Sequence, residues 1–208
     1  HPGYGFLSEN PTFARKCAEQ GIAFIGPKAE VMERMGNKSH ARETMKAAGV
    51  PVIPGTEQSV TDAREAKIAA DEIGYPVMIK AAAGGGGKGM REVFRPEDFL
   101  AQFQVAQQET TRAFGDDEMY IEKLIVRPRH VEVQILGDHY GTVIDLGERD
   151  CSVQRNHQKL IEEAPSPFIS EETRKQMREV AVLAGKTVGY ESAGTIEFIV
   201  DQNKNFYF

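Results

Sequence analysis

A chain of 208 residues with 40% hydrophobic and 27% charged side chains has the balance of a folded globular protein of one large or two small domains, not of a disordered one. Its formal net charge of −6 argues against a dedicated nucleic-acid surface, which shows as a basic excess, and no run approaches the roughly 20 apolar residues of a membrane span. Two cysteines, Cys17 and Cys151, far apart and outside any CxxC pair, fit a reducing cytoplasm better than a disulfide-stapled setting.

The chain opens on His1-Pro2-Gly3-Tyr4-Gly5, which reads as the middle of a loop, and closes on Asn205 to Phe208, which reads as a strand cut before its turn; a fragment is expected. Ser8 or Asn10, with Pro11 at the first helical position, starts a helix through Ala18 that Gly21 stops. The apolar run Ile22 to Ile25, ended by Gly26-Pro27, is expected to be a buried strand. Helices are expected over Ala29 to Met35 and Ser39 to Ala48, and Pro51 and Pro54 mark a boundary. Asp62 with Glu65 resembles a capping box for a helix to Ile73, closed by Gly74.

Tyr75 to Ala81 and Met90 to Phe94 read as strands joined by a glycine-rich turn, and Pro96 starts a helix that carries Phe99 and Phe103 at i, i+4. Met119 to Leu124 alternates as a strand, and His130 to Leu136 with Thr142 to Leu146 makes a hairpin. A long polar loop is expected over Gly147 to Pro167, then a helix begun by Ser170, Glu171 and Glu172. The strand Thr195 to Val200 and a turn at Asp201 to Lys204 lead to the last residues.

Gly84-Gly85-Gly86-Gly87-Lys88-Gly89 satisfies GxGxxG, a weak signal by itself. A dinucleotide fingerprint needs a helix N-terminus after the glycines, whereas Met90 to Phe94 is strand-like, and Lys88 is followed by Gly89 where a Walker loop has Ser or Thr. What remains is a hairpin loop whose amides can close over phosphates, or else a plain surface turn. Lys80 at the end of the apolar strand Pro76-Val77-Met78-Ile79 favours the first reading, because an unpaired charge there is costly and calls for an anion.

Further on, Val131, Val133 and Ile135 face one way on their strand and Glu132 and Gln134 the other, while Glu148 to Lys159 holds seven ionisable residues, Cys151 and His157 included. Alternation sets Glu197 opposite Ile196, Phe198 and Val200, so that beside a phosphate site it is a candidate Mg²⁺ ligand. Structural zinc at Cys151 and His157 lacks a second ligand pair.

Taken in order, His1 to Asn10, Phe24-Ile25-Gly26-Pro27, Met35-Gly36-Asn37-Lys38, Gly74-Tyr75-Pro76-Val77, Gly84 to Met90, Pro128-Arg129-His130-Val131-Glu132, Glu148 to Ser152 with Gln154-Arg155, and His157-Gln158-Lys159 resemble the biotin carboxylase family from the first residue to the last. The resemblance implies an α+β ATP-grasp fold in which nucleotide lies between two subdomains. It assigns residues 1–35 to the tail of a Rossmann-like N-terminal domain and 36–208 to a C-terminally truncated ATP-grasp domain with a lid over about 52–124. It further implies that Lys38 and Lys80 contact ATP phosphates, that Gly84, Gly85, Gly86 and Gly87 cover them, and that Glu122, Lys123, Leu124 and Ile125 read adenine. His130 and His157 would contact nucleotide, with Gln154 nearby. Lys159 would hold bicarbonate, with His157 and Gln154 beside it in the catalytic set, and Glu197 would bind Mg²⁺ or Mn²⁺.

The implied reaction is carboxylation of carrier-bound biotin through carboxyphosphate. Its implied partners are a biotin carboxyl carrier, a carboxyltransferase and a second copy in a homodimer, located in cytoplasm or, in a eukaryote, the mitochondrial matrix. The family's second metal glutamate and bicarbonate-orienting arginine are expected beyond Phe208, so complete catalysis by this piece is not expected. A carbamoyl phosphate synthetase-type ligase shares the lid glycines but not the expected His157-Gln158-Lys159 loop, and a non-catalytic nucleotide-binding module is the other competing reading.

Overall fold

The structure, a computed structural model, describes every residue except Tyr4, Phe6, Asn37, the stretch 83–88 and residues 156–157; of Lys38, Ser39 and Phe114 it describes the backbone alone. The chain divides into two compact units, Ile53–Val126 and a second formed by His1–Val52 with Arg127–Phe208.

Helix α1 (Pro11–Glu19) starts where Asn10 Oδ1 accepts a hydrogen bond from Phe13 N at 2.8 Å, so Asn10 and not Ser8 is its cap. α2 (Ala29–Gly36) and α3 (Lys38–Ala47) follow. Between α1 and α2 the expected buried strand is not formed: Ile22 and Ile25 are 60% and 57% exposed. An apolar run becomes a strand only where neighbours supply its ladder, and no described strand pairs with these residues. Phe24 instead packs edge-on to Phe13, at 6.0 Å between centroids, beside a small cluster of Ala14, Ala29 and Met32.

In the Ile53–Val126 unit, α4 (Ala63–Ile73) is capped by Asp62, whose carboxylate accepts from the amides of Arg64 and Glu65, and it ends at Gly74 with φ +81°. Strands β1 (Val77–Ala81), β2 (Arg91–Val93) and β3 (Met119–Lys123) form an antiparallel sheet in the order β2-β1-β3. A 3₁₀ turn, Pro96–Asp98, leads into α5 (Phe99–Phe114). Phe99 and Phe103, stacked at 5.9 Å, bury against Val77, Ile79 and Ile121 of the sheet and Ala66 and Ala70 of α4. The glycine run therefore connects two antiparallel strands, although residues 83–88 themselves lie outside the described residues.

The other unit is built on a five-stranded antiparallel sheet of β4 (Arg129–Gly137), β5 (Val143–Arg155), β6 (Gln158–Glu163), β7 (Ser192–Val200) and β8 (Phe206–Tyr207), in the order β6-β5-β4-β7-β8. Helix α6 (Glu171–Val188), capped by Ser170, contributes Met177, Ala181 and Ala184 to a core with Val131, Val133 and Ile135 of β4 and Ile196, Phe198 and Val200 of β7. Alternation then turns Glu132, Gln134 and Glu197 to the opposite face.

The long polar loop expected over 147–167 is corrected: β5 runs on to Arg155, and Gln158–Glu163 returns beside it as β6. Polar residues are tolerated in these strands because they find partners. Glu148 accepts from Arg174 Nε at 2.6 Å and from Ser166 N at 3.2 Å, and Asp150 accepts from Ser166 Oγ at 3.1 Å. Two register shifts between β5 and β6 break the alternation that would have marked them in the sequence.

Candidate functional site

On the polar side of the five-stranded sheet, a cavity of about 390 Å³ is lined by His130, Glu132, Cys151, Gln154, Lys159 and Glu197, among others. Strand register explains the meeting. Glu132 stands opposite Arg149 on β5 and opposite Glu197 on β7, and Gln154 on β5 stands opposite Lys159 on β6. Two glutamates directly across a strand pair repel, so Glu132 and Glu197 need a shared cation. Lys159 is that cation: its Nζ bonds Glu132 Oε2 and lies 2.7 Å from Glu197 Oε1. Arg149 Nε donates to the other Glu132 oxygen at 2.7 Å, so the carboxylate, only 4% exposed, is held on both oxygens.

Electrostatics follow from this packing. Burial alone would raise the Glu132 pKa, but the hydrogen bonds from Lys159 and then Arg149 outweigh it and hold the carboxyl below its ordinary value. Burial alone would lower that of Lys159, and the hydrogen bonds to Glu132 and Glu197 more than reverse it. Lys159 is thus a fixed ammonium and not a base, suited to binding an anion.

Glu132, Cys151 and Glu162 offer ligand atoms within 4.8 Å of one another. Glu132, however, is already engaged by two cations, and burial first, then the Glu132 charge, pushes the Cys151 thiol up to about 11. A protonated thiol is a poor ligand. Glu197 is different: its side chain is 68% exposed and it presents hard oxygen, which fits one ligand of a Mg²⁺ or Mn²⁺ ion completed by phosphate oxygens and water.

His130, Gln154, Lys159 and Glu197 are brought together among the residues singled out in the sequence. The His130 amide donates to Ser152 Oγ at 3.0 Å, and Gln154 Nε2 donates to the Cys151 carbonyl at 2.9 Å. His157, Gly84, Gly85, Gly86, Gly87 and the Lys38 side chain lie outside the described residues. In the Ile53–Val126 unit, Lys80 finds its anion in Glu122, diagonally across β1 and β3. Lys123 Nζ donates to the carbonyls of Gly74 and Tyr75 at 2.8 and 2.9 Å, and Leu124 N donates to Pro76 O at 3.0 Å; Ile125 is half-buried. The Lys123 side chain thus ties down its own strand end.

Glu132 and Arg149 are functional candidates that residue patterns did not single out. The available signal was a carboxylate placed mid-strand on the face opposite three apolar neighbours, as for Glu197.

Residues 37–208 match the family described as carbamoyl-phosphate synthase L chain, ATP binding domain, and residues 1–32 match the biotin carboxylase N-terminal domain. The biotin carboxylase of Nostoc sp. is 57% identical over all 208 residues, which cover 46% of that protein. Among solved structures, the biotin carboxylase β,γ-ATP complex from Campylobacter jejuni is 55% identical with a TM-score of 0.81, the match covering 99% of this chain and 46% of that one. The biotin carboxylase domain of a thermophilic 2-oxoglutarate carboxylase bound to bicarbonate is 49% identical with a TM-score of 0.92, over 100% of this chain and 45% of that one. The chain spans less than half the length of the curated relatives it matches.

Proposed function

We propose, from the premise that this chain belongs to the family of the carbamoyl-phosphate synthase L chain ATP-binding domain, an ATP-grasp fold shared with the biotin carboxylases, that it is the nucleotide- and bicarbonate-handling part of a biotin carboxylase. The observation that carries the reading is the polar cavity in which Lys159 is held charged between Glu132 and Glu197, beside His130 and Gln154.

Bicarbonate attack on the γ-phosphoryl group of ATP forms carboxyphosphate and ADP; the carboxyl carbon then passes to the ring nitrogen of carrier-bound biotin as its bond to phosphate breaks, releasing inorganic phosphate and the ring N–H proton. The loose phosphoryl-transfer transition state needs cations and oriented donors around its oxygens more than it needs a base. Lys159 would hold the bicarbonate anion, and Glu132 with Arg149 would keep the ammonium aimed. His130 and Gln154, with His157, would meet the nucleotide. Lys38, Lys80 and the glycines Gly84 to Gly87 would meet its phosphates, and Glu122 to Ile125 its adenine. Glu197 would hold the metal ion, which when bound supplies positive charge to the phosphate oxygens.

In this reading residues 1–35 belong to the preceding Rossmann-like domain and about 52–124 form the lid. The whole protein works with a biotin carrier and a carboxyltransferase, as a homodimer, in the cytoplasm or an organelle matrix. The test is ADP release by the full-length protein with bicarbonate supplied or withheld, and with free biotin as acceptor. ADP release should require bicarbonate and rise with biotin, and ATP hydrolysis indifferent to both would overturn the reading.

A further inference from the structure

Beside the cavity, β5 departs from a regular strand, and one hydroxyl fills the gap. The register of β4 with β5 runs from Gly137, opposite Val143, to Val131, opposite Asp150. Ser152 falls just beyond, where the register of β5 with β6 shifts between Asp150 and Val153. The His130 amide, the next group on β4, therefore meets a side chain and not a carbonyl: Ser152 Oγ accepts from it at 3.0 Å. Asp150, only 4% exposed, fixes the direction of these bonds. A carboxylate accepts and does not donate, so Ser152 Oγ donates to Asp150 Oδ1 at 2.5 Å and keeps its lone pairs for His130. Ser152 N donates to the same Asp150 oxygen at 3.1 Å, and Ser166 Oγ donates to the other, also at 3.1 Å. Ser166 is buried, and its carbonyl accepts from Arg174 of α6 at 3.1 Å. Hydrogen-bonded residues thus link α6 to the cavity end of β4 without a break.

We propose that Ser152, braced by Asp150, is a positioning residue for His130: its hydroxyl holds the start of β4 and so sets where the His130 ring stands in the cavity with Lys159 and Glu197. Val131 is the first fully buried residue of β4, so His130 lies one step outside the core that fixes the rest of the strand. There β7 holds the strand from one edge, with Ile199 opposite His130, and the Ser152 hydroxyl holds it from the other. Removing the hydroxyl leaves the His130 amide short of an acceptor and Asp150 short of a donor, and the strand end must move to satisfy them. For its kinetic consequence alone, the inference rests on the reading of His130 as a nucleotide contact, because small displacements of positioned groups weaken binding out of proportion to their size.

The experiment uses the full-length protein with isotope-labelled histidine rings, carrying Ser152→Ala, Ser152→Thr, His130→Ala and the Ser152→Ala/His130→Ala pair. The His130 ring signal, identified by its loss in His130→Ala, is followed by NMR, and KM for ATP and the thermal midpoint are measured beside it. Ser152→Ala should move or broaden the His130 signal while that of His139, beyond the other end of β4, stays in place. Ser152→Thr, which keeps the hydroxyl, should restore it. Ser152→Ala should also raise KM for ATP several-fold, yet change it by less than about twofold, well under 1 kcal/mol, once His130 is already Ala. A His130 signal unmoved by Ser152→Ala, with only a lower melting point, would overturn the proposal, as would equal losses of ATP affinity with and without His130. If Ser152→Ala does not fold, Ser152→Cys, whose sulfur is a weak acceptor, decides by the same ring signal. A parental KM for ATP in His130→Ala would instead sink the nucleotide role of His130, and the ring signal would still decide the role of Ser152.

Discussion

Lys159 on β6 and Glu197 on β7 meet at 2.7 Å although β5 and β4 lie between their strands. Three strand spacings are about 14 Å, close to the combined reach of the two side chains. The link therefore needs an extended lysine passing over Glu132, which it bonds on the way. One ammonium answers two carboxylates, so the three residues form a unit whose members should not behave additively.

Removing the buried carboxylate is the first consequence. Glu132→Gln leaves Arg149 and Lys159 without their shared partner and should destabilise the protein at neutral pH by up to about 3 kcal/mol, the lower end for broken buried pairs because both cations are partly exposed. Denaturant unfolding of the two proteins at pH 7 checks this, and equal midpoints would mean that the pair contributes nothing.

The pH dependence has a definite sign. The Glu132 pKa is lowered in the folded protein, so its stabilisation is present above the unfolded carboxyl value of about 4.3 and is lost as pH falls through the folded value. The Lys159 pKa is raised, so its contribution is full below about 10.4, the unfolded lysine value, and is lost as pH rises through the folded one. The gap in melting temperature between parent and Glu132→Gln should hold across neutral pH and close in acid below about pH 4. A gap that widens in acid contradicts the assignment.

Lys80 is tied to Glu122 beside the glycine run, on the strand pair that would carry the phosphates and adenine. Lys80→Gln in the full-length protein should weaken Mg·ATP binding by calorimetry. An unchanged affinity would leave Lys80 as a structural partner of Glu122 and no more.

Packing and chemistry should separate. Met177, fully buried on α6 under the sheet, should cost about 2–5 kcal/mol when changed to Ala. Nucleotide affinity measured well below the melting point should stay near the parental value, since Met177 lines the core side and not the cavity. A large loss of affinity without a loss of stability would show that the sheet's two faces are not independent in this way.

Much of the fold was legible because local signals agreed with it. Asn10, Asp62 and Ser170 cap the helices they precede, and Phe99 and Phe103 at i, i+4 fall on one buried face. Ile22 to Ile25 misled because apolar character says nothing about whether partner strands are present. The reach of β5 and β6 was hidden because bulges broke the alternation and because their ionisable residues are paired across strands, which a linear reading sees as a polar loop. The candidate site was half legible. Lys159 and Glu197 stand out by resemblance and by alternation, but that Glu132 joins them depends on register, which no single strand reveals.

The most direct measurement compares bicarbonate-dependent ATP cleavage with nucleotide affinity in one sample of full-length Lys159→Gln. The substitution keeps the stem and a donor but removes the charge that is proposed to meet bicarbonate. Loss of a fixed ammonium in a partly buried site should slow bicarbonate-dependent turnover on the order of a hundredfold or more while ATP affinity stays nearly parental. Turnover within about twofold of the parent, well under 1 kcal/mol, would contradict the account and leave Lys159 as a cation that only holds Glu132 and Glu197 together.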